Sequence, residues 1–153
     1  MSAASPATTP FLQEATEYWD ELARECERQT ESINACVSQY GLRADGLIEW
    51  TPGSKIHMSR SRHPSTTIEA RFEFFSWGPM ISGTITGQQD AELNFAPEWF
   101  DILVAKDLDG STVGIIGEGR SISAAELATY LTQHFRRCYP DISLPYRAST
   151  ANA

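Results

Sequence analysis

The sequence predicts an α+β domain: a long N-terminal helix, an antiparallel meander of six or seven strands and a C-terminal helix, with both helices on one face of the sheet. Three observations predict it. Apolar residues step by three and four near both ends of the chain, they step by two in the middle, and the links between the period-two segments are too short to hold crossover helices. With 153 residues, 41% of them hydrophobic and 21% charged, the chain is sized for one core.

From Pro10 to Tyr40 the residues Ala15, Trp19, Leu22, Cys26, Ile33, Val37 and Tyr40 recur at helical spacing, interrupted only at Gln29. Thr9 is placed to cap this helix with Pro10 in its first turn, and Gly41 to close it in the left-handed conformation. Such a helix is about 45 Å long. Its polar face carries seven acids against two bases, Arg24 and Arg28.

After Gly46 the period changes to two. In TTIEARFEF, residues Ile68, Ala70, Phe72 and Phe74 point one way while Thr67, Glu69, Arg71 and Glu73 point the other, the pattern of a half-buried strand. The alternation recurs at Ile81, Gly83 and Ile85, at Ala91, Leu93 and Phe95, at Phe100, Ile102 and Val104, and at Val113 and Ile115, with weaker strands at 47–50 and 55–59. The stretches SRHPS, WGP, GQQD, APE and DLDG supply the turns. Helical spacing returns at Leu127, Leu131, Phe135 and Cys138. Ser123 and Glu126 form a capping box ahead of it, and Arg136 and Arg137 favour the negative end of its dipole.

Residues 1–9 and 140–153 are rich in Ser, Ala, Thr and Pro and are expected to fray, which leaves 10–139 as a single domain. A net charge of −8 argues against nucleic acid and anionic membrane surfaces as partners. The N-terminus has no basic segment followed by an apolar one, and no apolar run is long enough to span a bilayer. Cys26, Cys36 and Cys138 make an odd number. The first two lie ten helical positions apart, about 15 Å, beyond the reach of a disulfide. Free thiols suit the reducing cytoplasm, which is the predicted location.

GIIGEGRS, residues 114–121, nearly spells the phosphate loop G-x-x-x-x-G-K-[ST], with Arg120 in the place of lysine. Its context argues otherwise. Val113, Ile115 and Ile116 put a strand inside the supposed loop, and the capping box starts the helix too late. No nucleotide, metal or other cofactor is therefore expected.

The most concentrated chemistry is GSKIHMSRSRHPSTT, which holds Lys55, His57, Arg60, Arg62 and His63 with no acid. A solvated hairpin tip explains it, and so does a patch for a phosphate, a carboxylate or an acidic partner. Arg60 and Arg62 share a strand parity and are placed to act as a fork on one face. His134 and Cys138, at i and i+4, offer one edge of a metal site, with His57 as a third ligand, but Cys138 also completes the apolar stripe. DLDG resembles the start of a calcium loop and is explained by a hairpin turn. No cysteine sits in an obvious activating frame except Cys138 beside Arg137, and no G-x-S-x-G elbow occurs, so the enzyme question stays open and the reading leans to a non-enzymatic chain.

Trp77 and Trp99 fall in turn segments, where an indole lines a pocket mouth or a partner surface or plugs the end of the sheet. The resulting expectation is a small non-enzymatic protein-interaction module that works through its acidic helix or a sheet edge. Its partner would be a second copy, in a homodimer, or an acidic protein. The alternative is a binder of small apolar ligands with a cavity between helix and curved sheet, walled by Phe72, Phe74, Ile81, Leu93, Phe95 and Ile102. Lys55, His57, Arg60, Arg62, His63, Trp77 and Trp99 are the candidate site residues.

Overall fold

The structure is a computed structural model that describes residues 8–41 and 46–144, with side chains from Phe11 onward. Helix α1 runs Thr8–Ser38, and the strands follow as β1 Glu49–Trp50, β2 Ile56–Arg60, β3 Thr66–Phe75, β4 Gly78–Thr86, β5 Glu98–Lys106, β6 Thr112–Ile116 and β7 Arg120–Ile122. Helix α2, Ala124–Thr132, continues as a 3₁₀ segment, Gln133–Cys138. The seven strands lie in chain order and each pairs antiparallel with the next. This is the predicted α+β plan.

The expected alternation sets the register. Ile68 pairs with Ile85, Phe72 with Ile81, and Ile81 with Ile102, so these residues share the inner face. Their buried members join Ala15, Tyr18, Leu22, Cys26, Ile33 and Val37 of α1 and Leu127, Leu131 and Phe135 of the C-terminal helical segment in one core. Both helices therefore cover that face of the sheet.

The stripe of α1 is shifted from the expected one at its ends. Tyr18 is buried, while Trp19 lies at the border, stacked on Phe72 with ring centroids 5.6 Å apart. Tyr40 falls beyond the last helical residue and is 62% exposed. The chain leaves the helix through Gly41 at φ +77°, as the sequence predicts. Thr9 lies inside the first turn, and its capping side chain is outside the described residues.

Gln29, the break in the stripe, is buried. Its amide donates to Thr129 Oγ1 at 3.1 Å and its carbonyl accepts from Thr132 Oγ1 at 2.6 Å. A hydrogen-bonded bridge between α1 and α2 thus replaces one apolar contact, which is the way a polar group is accommodated in a core. A second bridge ties α1 to the sheet: the Asn34 amide donates to Ile48 O and accepts from Ile48 N, both at 2.8 Å.

Three local expectations are corrected. Ala91, Leu93 and Phe95 do not form a strand. Asp90 accepts from the backbone N–H groups of Glu92 and Leu93 at 2.9 and 3.0 Å, which folds the chain into an irregular link closed by one bridge, Gln88 to Asn94. Local side-chain capping overrides a three-residue alternation there, and Leu93 is left 58% exposed. The seventh strand is instead β7, in residues expected to form only a strand-to-helix corner. Finally, Phe74 keeps the inner parity but is 51% exposed, because the β3–β4 hairpin extends beyond Phe72 and its Trp19 cover.

The capping box is formed, with Glu126 N donating to Ser123 Oγ at 3.1 Å and Ser123 N to Glu126 Oε1 at 2.9 Å. Cys26 and Cys138 are buried free thiols, and Cys36 is half-buried and free. Ile142 and Leu144 pack against the core, so the chain past Pro140 is held at least to that point. Residues 1–7 and 145–153 lie outside the described residues. No helix among the described residues is long and apolar enough to cross a membrane.

Candidate functional site

The glycine-rich stretch 114–121 is neither loop nor helix start. It is the end of β6, a turn, and the whole of β7 apart from Ile122. Gly114 lies beneath Tyr18, whose hydroxyl donates to Ile122 O at 3.0 Å, and a Cβ at Gly114 would lie 2.8 Å from that hydroxyl. Gly117 and Gly119 have φ of +49° and +88°, a conformation that side chains with a Cβ rarely adopt. They reverse the chain directly after Ile116, and β7 returns on the side of β6 away from β5.

That reversal determines the most unusual surface of the molecule. Strand β5 pairs with β4 from Glu98 to Leu103, but with β6 only from Leu103 to Lys106. Among the described residues, one edge of β5 over Glu98–Ile102 has no strand partner, because β6 turns away where a longer strand would have continued. An unpaired edge presents backbone donors and acceptors. Beside it opens a cleft of about 420 Å³ whose apolar lining includes Ile102, Ile116, Ile122 and Leu127, with Trp99, Asp101, Arg120 and Tyr130 also on its walls. It lies between α2 and the inner face of the sheet. Trp99 is 73% exposed.

The free end of β5 is moored to α2 by its first residue. Tyr130 Oη donates to Glu98 Oε1 at 3.1 Å, and His134 Nε2 lies 3.1 Å from Glu98 Oε2. His134 Nδ1 faces Leu131 O, also at 3.1 Å. Both ring nitrogens are thus committed to oxygen partners. Partial burial, with the Glu98 carboxylate adding to it, raises the pKa of the Tyr130 phenol.

On the opposite face of β5 the register makes a second hollow. Thr84 on β4 stands between Glu69 and Trp99, and Ser82 stands between Arg71 and Asp101. Short side chains on the middle strand and longer ones on its neighbours leave a trough of about 360 Å³. Glu69 is engaged by Lys55 Nζ at 3.3 Å and approached by His57 Nε2 at 3.6 Å. Arg71 and Asp101 have no ion-pair partner among the described residues.

The candidate residues named from sequence are dispersed. Lys55 and His57 stand on the outer face beside the trough, where both meet Glu69. Arg60 is 4% exposed and points into the core, so it forms no surface fork with Arg62. Its Nε donates to Gly46 O at 3.1 Å, and its Nη1 lies 2.8, 3.2 and 3.3 Å from the carbonyl oxygens of Pro64, Cys138 and Arg62. The Tyr139 ring lies 4.6 Å beneath the guanidinium. Arg62 and His63 belong to the β2–β3 turn, where the ring of His63 bonds Gln88 at 3.1 Å. Trp77 is at the tip of the β3–β4 hairpin, stacked on Phe75 at 4.7 Å. Trp99 alone of the seven lines both the cleft and the trough, and it lies in β5 rather than in a turn.

His134 and Cys138 do not share an edge. The imidazole faces Glu98, while Cys138 Sγ is buried 3.2 Å from Thr66 Oγ1. Burial raises the pKa of that thiol despite Arg60 and Arg137 nearby, and desolvation raises that of Cys26. DLDG is a hairpin turn, closed by Asp107 N to Ser111 O at 2.8 Å. Of the six expected cavity walls, only Ile102 lines the cleft. Tyr130 and Asp101 are not singled out by the sequence; Arg71 stands there only as an outward-facing strand residue and Arg120 only as the residue in the place of the phosphate-loop lysine. No family of known proteins matches the chain, and no curated protein or solved structure is significantly similar to it.

Proposed function

We propose that the protein is a non-enzymatic interaction module whose working surface is the open segment of β5 and the cleft beside it. The partner is an extended segment of another protein, which adds a strand along Glu98–Ile102 and places an apolar side chain in the cleft. One observation carries the reading: among the described residues, five consecutive residues of an interior strand lack a strand partner on one side, beside a cleft of mixed polar and apolar lining. Strand addition of this kind takes affinity from main-chain hydrogen bonds and specificity from side-chain pockets. Arg120 at the cleft supplies a cation for an acidic side chain of the partner, in keeping with the acidic partner expected from sequence.

The cleft volume also falls within the range of small-ligand sites, about 300 to 1,000 Å³. That supports a second reading, a bound apolar molecule in place of the partner's side chain. A displayed library of random heptapeptides, selected on the protein and followed by amide hydrogen exchange, tests the first reading. Selected peptides are expected to protect amides within Glu98–Ile102 and to bind about tenfold more weakly to Arg120→Glu. Peptides that leave those amides unprotected, or an empty selection, would refute it. Sedimentation distinguishes the case in which the added strand comes from a second copy.

A further inference from the structure

The trough on the outer face of β5 has a charge pattern that the strand-addition reading does not use. We propose that it binds a small zwitterion, a free α-amino acid with an apolar or aromatic side chain. Arg71 is the only cation among the trough's lining residues, and its carboxylates are Glu69 and Asp101. Glu69 is already turned toward Lys55 and His57. The uncommitted pair is Arg71 on one wall and Asp101 on the other, in register across Ser82.

Two strand spacings separate these walls, about 10 Å between backbones. That is too far for the two side chains to be drawn together by strand pairing alone, and they form no ion pair. A molecule carrying a carboxylate and an ammonium on one carbon spans such a gap, with its carboxylate on the Arg71 fork and its ammonium on Asp101. The hydroxyls of Ser82 and Thr84 lie on the floor as donors and acceptors. Trp99, on the same wall as Asp101 and 73% exposed, offers an indole face to the ligand's side chain. The hollow of about 360 Å³ holds a molecule of that size. A simple anion would leave Asp101 opposed, and a simple cation would leave Arg71 opposed.

The test uses L-phenylalanine, with 3-phenylpropanoate lacking the ammonium and phenethylamine lacking the carboxylate, titrated against the full chain and followed by amide chemical shifts. L-phenylalanine is expected to shift Ser82, Thr84 and Trp99 at millimolar concentration, and each truncated analogue to bind about tenfold more weakly. Arg71→Gln should remove the preference over phenethylamine, and Asp101→Asn the preference over 3-phenylpropanoate. Both residues are exposed, and circular dichroism of the variants checks that the fold is kept. Equal binding of the three compounds, shifts confined to Ile116, Ile122 and Leu127, or no shift up to about 10 mM, would overturn the proposal. Trp99 and Asp101 also line the cleft, so the amino-acid titration is separated from peptide binding by the shifts of Ser82 and Thr84, which line the trough and not the cleft.

Discussion

Replacing Arg60 by methionine separates a structural arginine from a ligand-binding one. Methionine fills much of the same volume and carries no donor. The guanidinium makes four short approaches to carbonyl oxygens, but the two hydrogens on Nη1 are shared among three of them. About three hydrogen bonds are therefore lost. Gly46 O keeps a partner, since Tyr139 Oη donates to it at 2.7 Å, so the carbonyls that lose this donor without that replacement are those of Arg62, Pro64 and Cys138. Hydrogen bonds to a charged group contribute about 1.5 to 3 kcal/mol each, and relief of the buried charge offsets part of their loss. A net destabilisation of about 2 to 4 kcal/mol follows. In urea, with a slope of about 2 kcal/mol/M, the midpoint should fall by about 1 to 2 M. Lys55→Met, at an exposed ion pair, should shift it by less than about 0.5 M. Equal small shifts for the two variants would refute the assignment of Arg60 to the core and return it to a surface patch.

Ser123→Ala should cost about 0.5 to 2 kcal/mol, measured by the same denaturant melts, because the reciprocal cap of α2 is intact. A silent Ser123→Ala paired with a silent Glu126→Ala would show that the cap contributes nothing. Stability should also fall in alkali. Burial pushes the Tyr139 phenol up to about 12 and raises that of Tyr18 as well, and the thiols of Cys26 and Cys138 are raised in the same way. Groups whose folded pKa is raised stabilise fully below their unfolded pKa, here about 9 for thiols and 10 for phenols, and lose that contribution as the pH climbs toward the folded value. Melting temperatures should therefore hold below about pH 8.5 and decline above it. A flat profile to pH 11 would contradict the burial of these groups.

Much of this fold is legible because its sheet has one wet face. Alternation at Ile68, Ala70 and Phe72 and at Ile81, Gly83 and Ile85 states which residues go inward, and short polar turns leave only a meander. The same logic places Arg60 inward: it shares parity with Ile56 and Met58, and the structure buries all three. Its charge is what suggests a surface, and parity is the stronger signal. Parity likewise sets Trp99 opposite to Phe100 and Ile102, on the outer face. Other features have no local signature. The contact of Glu98 with His134 joins residues 36 apart, and that of Gln29 with Thr132 joins residues 103 apart. The Gln29 interruption is visible in the helical stripe, but the partner that justifies it is not.

The resemblance of GIIGEGRS to a phosphate loop has a physical source. Any chain that must turn sharply after a strand needs residues free to take positive φ, so glycines at short spacing mark tight reversals of many kinds. What separates the cases is where the chain goes next. A phosphate loop leads into a helix whose first amides face the ligand. Here the chain leads into three residues of β7, and the amide of Glu126 in the first turn of α2 is taken by Ser123. The glycines have a different consequence. By ending β6 at Ile116 they leave Glu98–Ile102 of β5 with one strand partner among the described residues, where an interior strand has two. The stretch that mimics a nucleotide site is thus what opens the edge proposed to receive a partner. If β6 ran on past Ile116 beside β5, both the open edge and the mouth of the cleft would be filled by the protein's own strand.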